Sequence, residues 1–276
     1  MTARRLVAEG LGTALLLVAI VGSGIVTSSD GPASTQLFQH ALVVGLALVA
    51  LIHTFGHVSG AHFNPAVTLL DLLLGNLPRR LAAGYVVVQL LGACAGVVVT
   101  NLLFGEPAVA LATTQRSGVQ LAASELLATA GLLVVIVGVV RSGRDAAVPG
   151  AVGAYIAMAA FSTSSASFAN PAVTVARSLS DTWTGIDPSG VPVYVGAQLL
   201  ATVLVWPLLR WLFSTDASSV PDLVVPHAPP ASPPRLASPH DEHDPHDPHD
   251  ANDPHDPHDP AATSAAGRSH QDGGPR

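Results

Sequence analysis

The chain has 276 residues, of which 49% are hydrophobic and only 11% are charged, and its formal net charge is -7. Soluble globular proteins carry about 25% charged residues, so this composition argues against an ordinary soluble protein and favours a membrane protein. The acidic excess lies after Ser214 and the remainder is close to neutral, which leaves no basic surface for a nucleic acid. The single cysteine, Cys94, excludes an intrachain disulfide and a thiolate metal cluster.

Six apolar stretches are long enough to cross about 30 Å of hydrocarbon at about 1.5 Å per helical residue. They predict transmembrane helices at approximately Arg5–Val26, Gln36–His57, Leu81–Phe104, Val119–Val140, Ala147–Ser165 and Val191–Phe213. The first stretch is too long for a signal-peptide core and lacks a small-residue cleavage site. We therefore expect it to be retained as a transmembrane helix.

Two shorter apolar stretches are long enough for only half a bilayer. Asn64–Leu74 lies between the second and third predicted spans, and Asn170–Leu179 lies between the fifth and sixth. Each starts with Asn and Pro, which are preferred at the N-cap and the first turn of a helix. A helix that starts in the middle of the membrane marks a binding or permeation site and needs protein or water around it. The sequence therefore predicts two re-entrant half-helices.

The two halves of the chain repeat each other. The recurring pairs are Glu9-x-x-x-Thr13 with Glu125-x-x-x-Thr129, Tyr85-x-x-x-Gln89 with Tyr194-x-x-x-Gln198, and Asn64-Pro65-Ala66 with Asn170-Pro171-Ala172. Three spans per unit is an odd number, so the second copy must be inserted upside down. We predict an all-α membrane protein with six transmembrane helices plus two re-entrant half-helices in an inverted repeat. Residues 1–213 form this domain, with repeats at about 1–110 and 111–213.

Basic residues predict the orientation in the membrane. Arg4, Arg5, Arg79, Arg80, Arg141, Arg144 and Arg210 fall on one side, and Arg116 and Arg177 fall on the other. The positive-inside rule then places both termini in the cytoplasm and the protein in the cell membrane.

Residues 214–276 are rich in Pro, His and Asp and are predicted to be a disordered cytoplasmic tail. Its repeats place a set of histidines beside aspartates: His243, His246, His249, His255 and His258. This pattern is compatible with weak binding of Ni, Zn or Cu or with pH sensing, but a solvated repeat that binds nothing is the favoured interpretation.

The paired half-helices predict a pore. The side-chain oxygen of an N-capping Asn accepts a hydrogen bond from its own helix, so the NH₂ groups of Asn64 and Asn170 are expected to point into the space between the halves. The positive ends of the two helix dipoles converge there and disfavour cations and hydrated protons. A passage for small uncharged polar molecules fits these properties.

The motifs resemble those of a known family. The segment Ser59-Gly60-Ala61-His62-Phe63-Asn64-Pro65-Ala66-Val67-Thr68, the second Asn-Pro-Ala, the duplicated Glu-x-x-x-Thr and the paired Gln-Leu-Leu resemble the major intrinsic protein (aquaporin and aquaglyceroporin) family. The resemblance covers about residues 5–213. It implies a right-handed bundle with one pore per subunit, a homotetramer, no cofactor and no enzymatic activity. It also implies that buried Glu9 and Glu125 hold the re-entrant loops and that His57 and His62 pack against them.

The chain departs from the family pattern where the pore is narrowest. Family members that pass only water usually carry Arg three residues after the second Asn, and this position is Val173 here. Counting from the motifs without gaps, the other filter positions are Val44, Met158 and Ser167. With no aromatic, His or Arg among the four, we predict a filter wider than that of a strict water channel.

The predicted function is a passive channel for water, glycerol-like polyols and neutral metalloids such as arsenous acid. A bacterial branch of the family that resembles this chain carries Asn-Pro-Ala-Val-Thr in both loops and is associated with neutral arsenic species. The alternatives are a strict water channel, a membrane metalloenzyme that uses His53 and His57, and a structural membrane protein with a closed pore.

Two charged residues occupy matching positions, because Asp71 and Arg177 each lie seven residues after their Asn. Seven residues is about two helical turns, so each shares a face with its Asn. We predict that Asp71 faces the cytoplasmic mouth and Arg177 the outer mouth. Arg177 either replaces the missing filter cation in part or only extends from a half-helix end toward water.

Overall fold

Helices make up most of the part of the chain that the structure describes, which is residues 2–28 and 31–213 of a computed structural model. They are α1 (Thr2–Thr27), α2 (Ala33–Ser59), α3 (Pro65–Leu74), α4 (Arg79–Leu103), α5 (Val119–Arg141), α6 (Val148–Ser162), α7 (Pro171–Ala176) and α8 (Val191–Leu212). Short 3₁₀ turns precede α6 at Asp145–Ala147 and follow α7 at Arg177–Leu179.

The six predicted spans are confirmed, since α1, α2, α4, α5, α8 and the combined segment Asp145–Ser162 are long and apolar enough to cross a membrane. Most helix ends lie within a few residues of the predicted ones. Helix α6 is shorter than predicted and ends at Ser162 instead of Ser165. The helix stops because Thr163 is extended and Ala166 and Ser167 adopt positive φ, which an α-helix does not accommodate.

The two halves have matching architecture. Helix α1 packs against α4 in the first half, as α5 packs against α8 in the second, and the halves meet where α2 packs against α6. Glycines permit these close crossings: a Cβ added to Gly92 would lie 2.1 Å from the carbonyl oxygen of Gly10, and one added to Gly153 would lie 2.5 Å from that of Gly45. Small residues at helix crossings are typical of membrane bundles.

The outward faces of the long helices are apolar, as a bilayer requires. Large exposed hydrophobic side chains on these faces include Leu11, Leu15, Leu42, Leu46, Val87, Leu91, Leu127, Leu200, Val203, Leu204 and Trp211. An apolar surface of this extent is not expected on a soluble monomer.

The half-helices α3 and α7 lie inside the bundle. Helix α3 has 10 residues, about 15 Å in length, and is stopped by Gly75, whose φ of 87° makes a left-handed cap. Helix α7 has 6 residues and continues directly into the 3₁₀ turn Arg177–Leu179. Neither helix is long enough to cross the membrane.

Residues 214–276 lie outside the described part of the chain. The predicted domain boundary, the disorder of the tail and weak metal binding by its histidines therefore stay predictions. The residues concerned are His243, His246, His249, His255 and His258.

Candidate functional site: the pore at the paired half-helices

The two half-helices meet tip to tip through their N-capping asparagines. The Oδ1 atom of Asn64 accepts a bond from the backbone N–H of Ala66, and its Nδ2 donates to the carbonyl oxygen of Ala169 at 2.8 Å. In the same way, Asn170 Nδ2 donates to the carbonyl oxygen of Phe63 at 2.7 Å. The structure thus refines the prediction: one N–H of each NH₂ group binds the opposite half, and only the second is available to a solute.

The loops that lead into the half-helices hold an unusual backbone conformation. Ala61, Phe63, Ala166, Ser167 and Ala169 all have positive φ between 45° and 57° without being glycine. Such residues each cost about 1–2 kcal/mol relative to ordinary conformations, so the surrounding structure must hold them in place.

Glu9 holds the first of these loops. Its Oε1 accepts bonds from the Ser59 hydroxyl at 2.6 Å and from the backbone N–H of His62 at 2.9 Å. Its Oε2 accepts from the backbone N–H of Phe63 at 2.7 Å and from Gln89 Nε2 at 2.8 Å. A fully buried carboxylate that receives four donors fixes the loop to α1 and α4.

Glu125 holds the second loop with an equivalent set of bonds. Its two oxygens accept from the backbone N–H groups of Phe168 and Ala169, both at 2.9 Å, and from Gln198 Nε2 at 2.6 Å. Glu125 is also fully buried. The repeat seen in the sequence is therefore a repeat of hydrogen bonds, as well as of helices.

A cavity passes beside the junction of the half-helices. Both N-capping asparagines lie on its wall. Its apolar lining is Leu16, Ile20, Val44, Leu48, Ile52, Ala61, Phe63, Val67, Leu132, Ile136, Val152, Ile156, Ala160, Ala166, Phe168, Ala169 and Val173. Its polar lining is His40, His62, Asn64, Ser167, Asn170 and Arg177. The wall is thus mostly aliphatic with a few separated polar groups.

Three of the four predicted filter residues lie on this wall: Val44, Ser167 and Val173. The fourth assignment, Met158, is wrong, because its side chain is 52% exposed and does not line the cavity. Helix α6 instead presents Ala160, which is buried at 4% exposure. The ungapped count from Asn170 misplaced the position by two residues, since the irregular loop after α6 does not keep helical spacing.

Polar atoms without protein partners face the cavity. The buried hydroxyl of Ser167 makes no hydrogen bond with the described residues. The carbonyl oxygens of Phe63 and Ala169 accept the asparagine bonds, whereas none of the backbone bonds found in residues 2–28 and 31–213 reaches those of Ala61, Ala166 and Ser167. Since buried polar groups normally have partners, these atoms fit contact with water or a hydroxylated solute.

The two charged residues beyond the half-helix tips differ in placement. Asp71 is buried, accepts a bond from Asn76 Nδ2 at 2.9 Å and lies 3.5 Å from His62 Nε2. It lies beside the wall residue His62 and does not line this cavity, so its place at the cytoplasmic mouth stays a prediction. Arg177 does line the cavity and is only 5% exposed.

The histidines of α2 and its loop have different surroundings. His62 lies in the first loop, where its Nδ1 is 3.1 Å from the Thr68 hydroxyl. His57 is exposed and makes no hydrogen bond to either loop in the described chain, so its predicted loop-packing role is wrong. His53 is also exposed, and no group of three or more His, Cys, Asp or Glu side chains in residues 2–28 and 31–213 is arranged to hold a metal ion.

His40 is a cavity residue that the sequence reasoning missed. It lies four residues before Val44 on α2, so the two share a helix face. The sequence offers that spacing as a signal, whereas a count from the Asn-Pro-Ala motifs leads to Val44 alone.

Comparisons with known proteins agree with this geometry. The family model described as "Major intrinsic protein" matches residues 1–167. The chain belongs to the major intrinsic protein family. It is 45% identical to Aquaglyceroporin AqpS of Rhizobium meliloti (strain 1021) over 210 residues, which covers 76% of this chain and 90% of that relative. It is 37% identical to Aquaporin NIP1-1 of Zea mays over 144 residues, covering 51% of this chain and 50% of that protein.

A solved structure shows the same fold. The aquaglyceroporin from Plasmodium falciparum superimposes with a TM-score of 0.60 at 21% identity, covering 76% of this chain and 100% of that one. As a major intrinsic protein of the aquaglyceroporin type, the chain is a multi-pass membrane channel for small neutral solutes and is not an enzyme.

Proposed function

We propose that this channel passes water, glycerol-like polyols and neutral metalloids such as arsenous acid, and that it excludes protons and cations. The observation that carries the proposal is a mostly aliphatic cavity on whose wall the Asn64 and Asn170 amides meet at the half-helix junction. A neutral hydroxylated molecule loses little on entering such a passage, whereas an ion loses its hydration without a counter-charge.

Proton exclusion is assigned to the asparagine pair. Each amide uses one N–H for the opposite half and keeps the other for the passing solute. A water molecule at this point accepts hydrogen bonds from donors on the protein, so its own protons point away along the pore in both directions. A chain of waters is thereby interrupted as a proton relay, and the N-terminal ends of α3 and of the α7 run add positive potential.

Room for solutes wider than water is assigned to four wall positions of the cavity, the predicted filter positions with Ala160 in place of Met158. Val44, Ala160, Ser167 and Val173 present aliphatic surface and one free hydroxyl there, with no aromatic ring among the four. Arsenous acid is a small uncharged tris-hydroxy molecule and resembles part of glycerol in shape. Both solutes present hydroxyl groups to Ser167 and to the unpaired carbonyls.

The proposal also covers the orientation of the chain in the membrane and its assembly into a homotetramer. The excess of arginine at one end of the bundle places both termini in the cytoplasm under the positive-inside rule. With this orientation Arg177 and His40 lie toward the outer mouth. By likeness to its family, the chain forms a homotetramer in the cell membrane with one pore in each subunit.

The test is solute uptake by proteoliposomes that contain the full chain. Stopped-flow light scattering follows water flux under an osmotic gradient and solute flux under glycerol or arsenite gradients. All three permeabilities should exceed those of protein-free vesicles. A strict water channel would accelerate water alone. A closed structural protein would accelerate none, and either result would contradict the proposal.

A further inference from the structure

Two buried polar side chains, His40 and Arg177, line the cavity at a level displaced from the four filter positions, and we call them the outer pair. Helix α2 runs from Ala33 toward the Asn junction, and α7 runs away from it. His40 lies four residues before Val44 and Arg177 four residues after Val173. Four helical residues rise about 6 Å, so both side chains move the same distance along the pore, away from the asparagines.

Arg177 is held rigidly at this level. Its Nε donates to the carbonyl oxygen of Thr184, and its guanidinium carbon stacks 3.4 Å from the centroid of the Phe168 ring. Arg116 packs on the same ring at 5.4 Å, and its Nε binds the carbonyl of Gly185. Arg116 is in the loop outside the spans, where burial lowers the pKa of its guanidinium. Ring stacking and a backbone acceptor fix a guanidinium plane well.

His40 is also held in place by its neighbours. Its Nδ1 lies 2.8 Å from the Ser23 hydroxyl, and its ring meets that of Trp183 edge-on, with centroids 5.4 Å apart. It is 6% exposed and lines the cavity. Since Nδ1 is engaged by Ser23, Nε2 is the nitrogen left for the cavity.

In the outer pair, the guanidinium of Arg177 has N–H donors that no described residue accepts. None of the bonds found in the described residues uses the Nη1 or Nη2 groups of Arg177, and no carboxylate there lies within 4.0 Å of its guanidinium. A guanidinium carries five N–H donors, so four have no hydrogen-bond partner among the described residues. A buried cation without a carboxylate partner needs other oxygen ligands, which water or a hydroxylated solute supplies.

We propose that His40 and Arg177 form the solute-selecting constriction of this channel, one helical turn outward from Val44 and Val173. Arg177 donates hydrogen bonds to the hydroxyl oxygens of a neutral polyol or tris-hydroxy solute, His40 Nε2 contacts the same solute, and the fixed positive charge repels cations. This inference rests on the proposed channel function and names the residues that choose among its solutes.

The test uses Arg177→Ala, Arg177→Lys and His40→Ala in the full chain, reconstituted in liposomes. Gln39→Ala, an exposed neighbour of His40, and Arg144→Ala, an exposed arginine, are the matched controls. Water, glycerol and the four-carbon polyol erythritol are compared by stopped-flow. Size-exclusion profiles of the purified variants report folding. If Arg177→Ala fails to fold, Arg177→Lys, which keeps the positive charge, provides the test.

The ratio of erythritol to glycerol permeability is expected to rise about tenfold in Arg177→Ala, as a hydrogen-bonded charged gate is removed. It should rise less in Arg177→Lys and His40→Ala and stay unchanged in both controls. If folded Arg177 and His40 variants keep the wild-type permeability ratio while water still passes, the outer pair does not select solutes. The proposed channel function is then unaffected. If the wild type passes neither water nor glycerol, both proposals are overturned.

Discussion

The two halves of the channel hold their half-helices alike but differ at the far ends of those helices. Glu9 and Glu125 each receive two backbone N–H donors from their loop and one glutamine amide. Seven residues after each Asn the likeness ends: Asp71 is turned to Asn76 and His62, whereas Arg177 lines the cavity. The repeat thus preserves the junction, while of the two charged residues only the one in the second half lines the cavity.

Removal of either loop-holding carboxylate should have the largest effect. Glu9→Ala and Glu125→Ala each leave several buried donors without an acceptor beside left-handed backbone, which costs on the order of 3–5 kcal/mol. We expect both variants to lose the folded, monodisperse protein to a similar degree, measured by thermal unfolding in detergent.

Glu106→Ala, at an exposed loop position, is the control for this pair and should unfold like the wild type. A large loss for one carboxylate together with a wild-type unfolding temperature for the other would show that the two clamps are not equivalent.

The two clamp carboxylates could be predicted from the sequence, because Glu9 and Glu125 recur at matching positions of the repeat and the resemblance to the family implies that they hold the loops. The residues of the filter are harder to predict from the sequence. Met158 was misplaced because the chain after α6 is not helical, and no residue count through such a loop predicts which side chain faces inward. His40 and the stacking of Arg177 on Phe168 depend on contacts between distant segments, which a single sequence does not encode as a motif.

Val173→Arg tests whether the narrow part of the second half sets solute size. A guanidinium at this buried wall position fills space that a glycerol molecule needs, so glycerol permeability should fall about tenfold while water falls less. Stopped-flow measurements on proteoliposomes check this. Val173→Ala, which adds no volume, should retain glycerol flux, and wild-type glycerol flux in Val173→Arg would show that Val173 does not border the path of glycerol.

Two serines of the second loop separate permeation from folding. Ser167 has a buried hydroxyl with no partner among the described side chains and backbone, so Ser167→Ala should change glycerol permeability by about threefold without altering stability. Ser165 accepts the backbone N–H of Ser167, so Ser165→Ala should lower the unfolding free energy by about 1 kcal/mol. Thermal melts and solute uptake are measured on both variants. The reverse pattern would mean that Ser167 is structural.

Asp71→Asn should have the smallest effect on solute choice. The variant loses the carboxylate that lies 3.5 Å from His62 Nε2 but changes no cavity-lining residue, so permeability ratios should stay within about twofold of wild type. The comparison is with Arg177→Lys in the same assay. An equal change in both variants would remove the contrast between the two mouths.

The central claim is that two half-helices meeting at Asn64 and Asn170 leave a passage for neutral solutes that protons do not use. Its most direct test records glycerol uptake and proton leak in the same proteoliposomes, with a pH-sensitive dye inside. The account predicts glycerol uptake well above protein-free vesicles while the proton leak stays at the protein-free rate. A proton leak that rises in proportion to the amount of protein would contradict it.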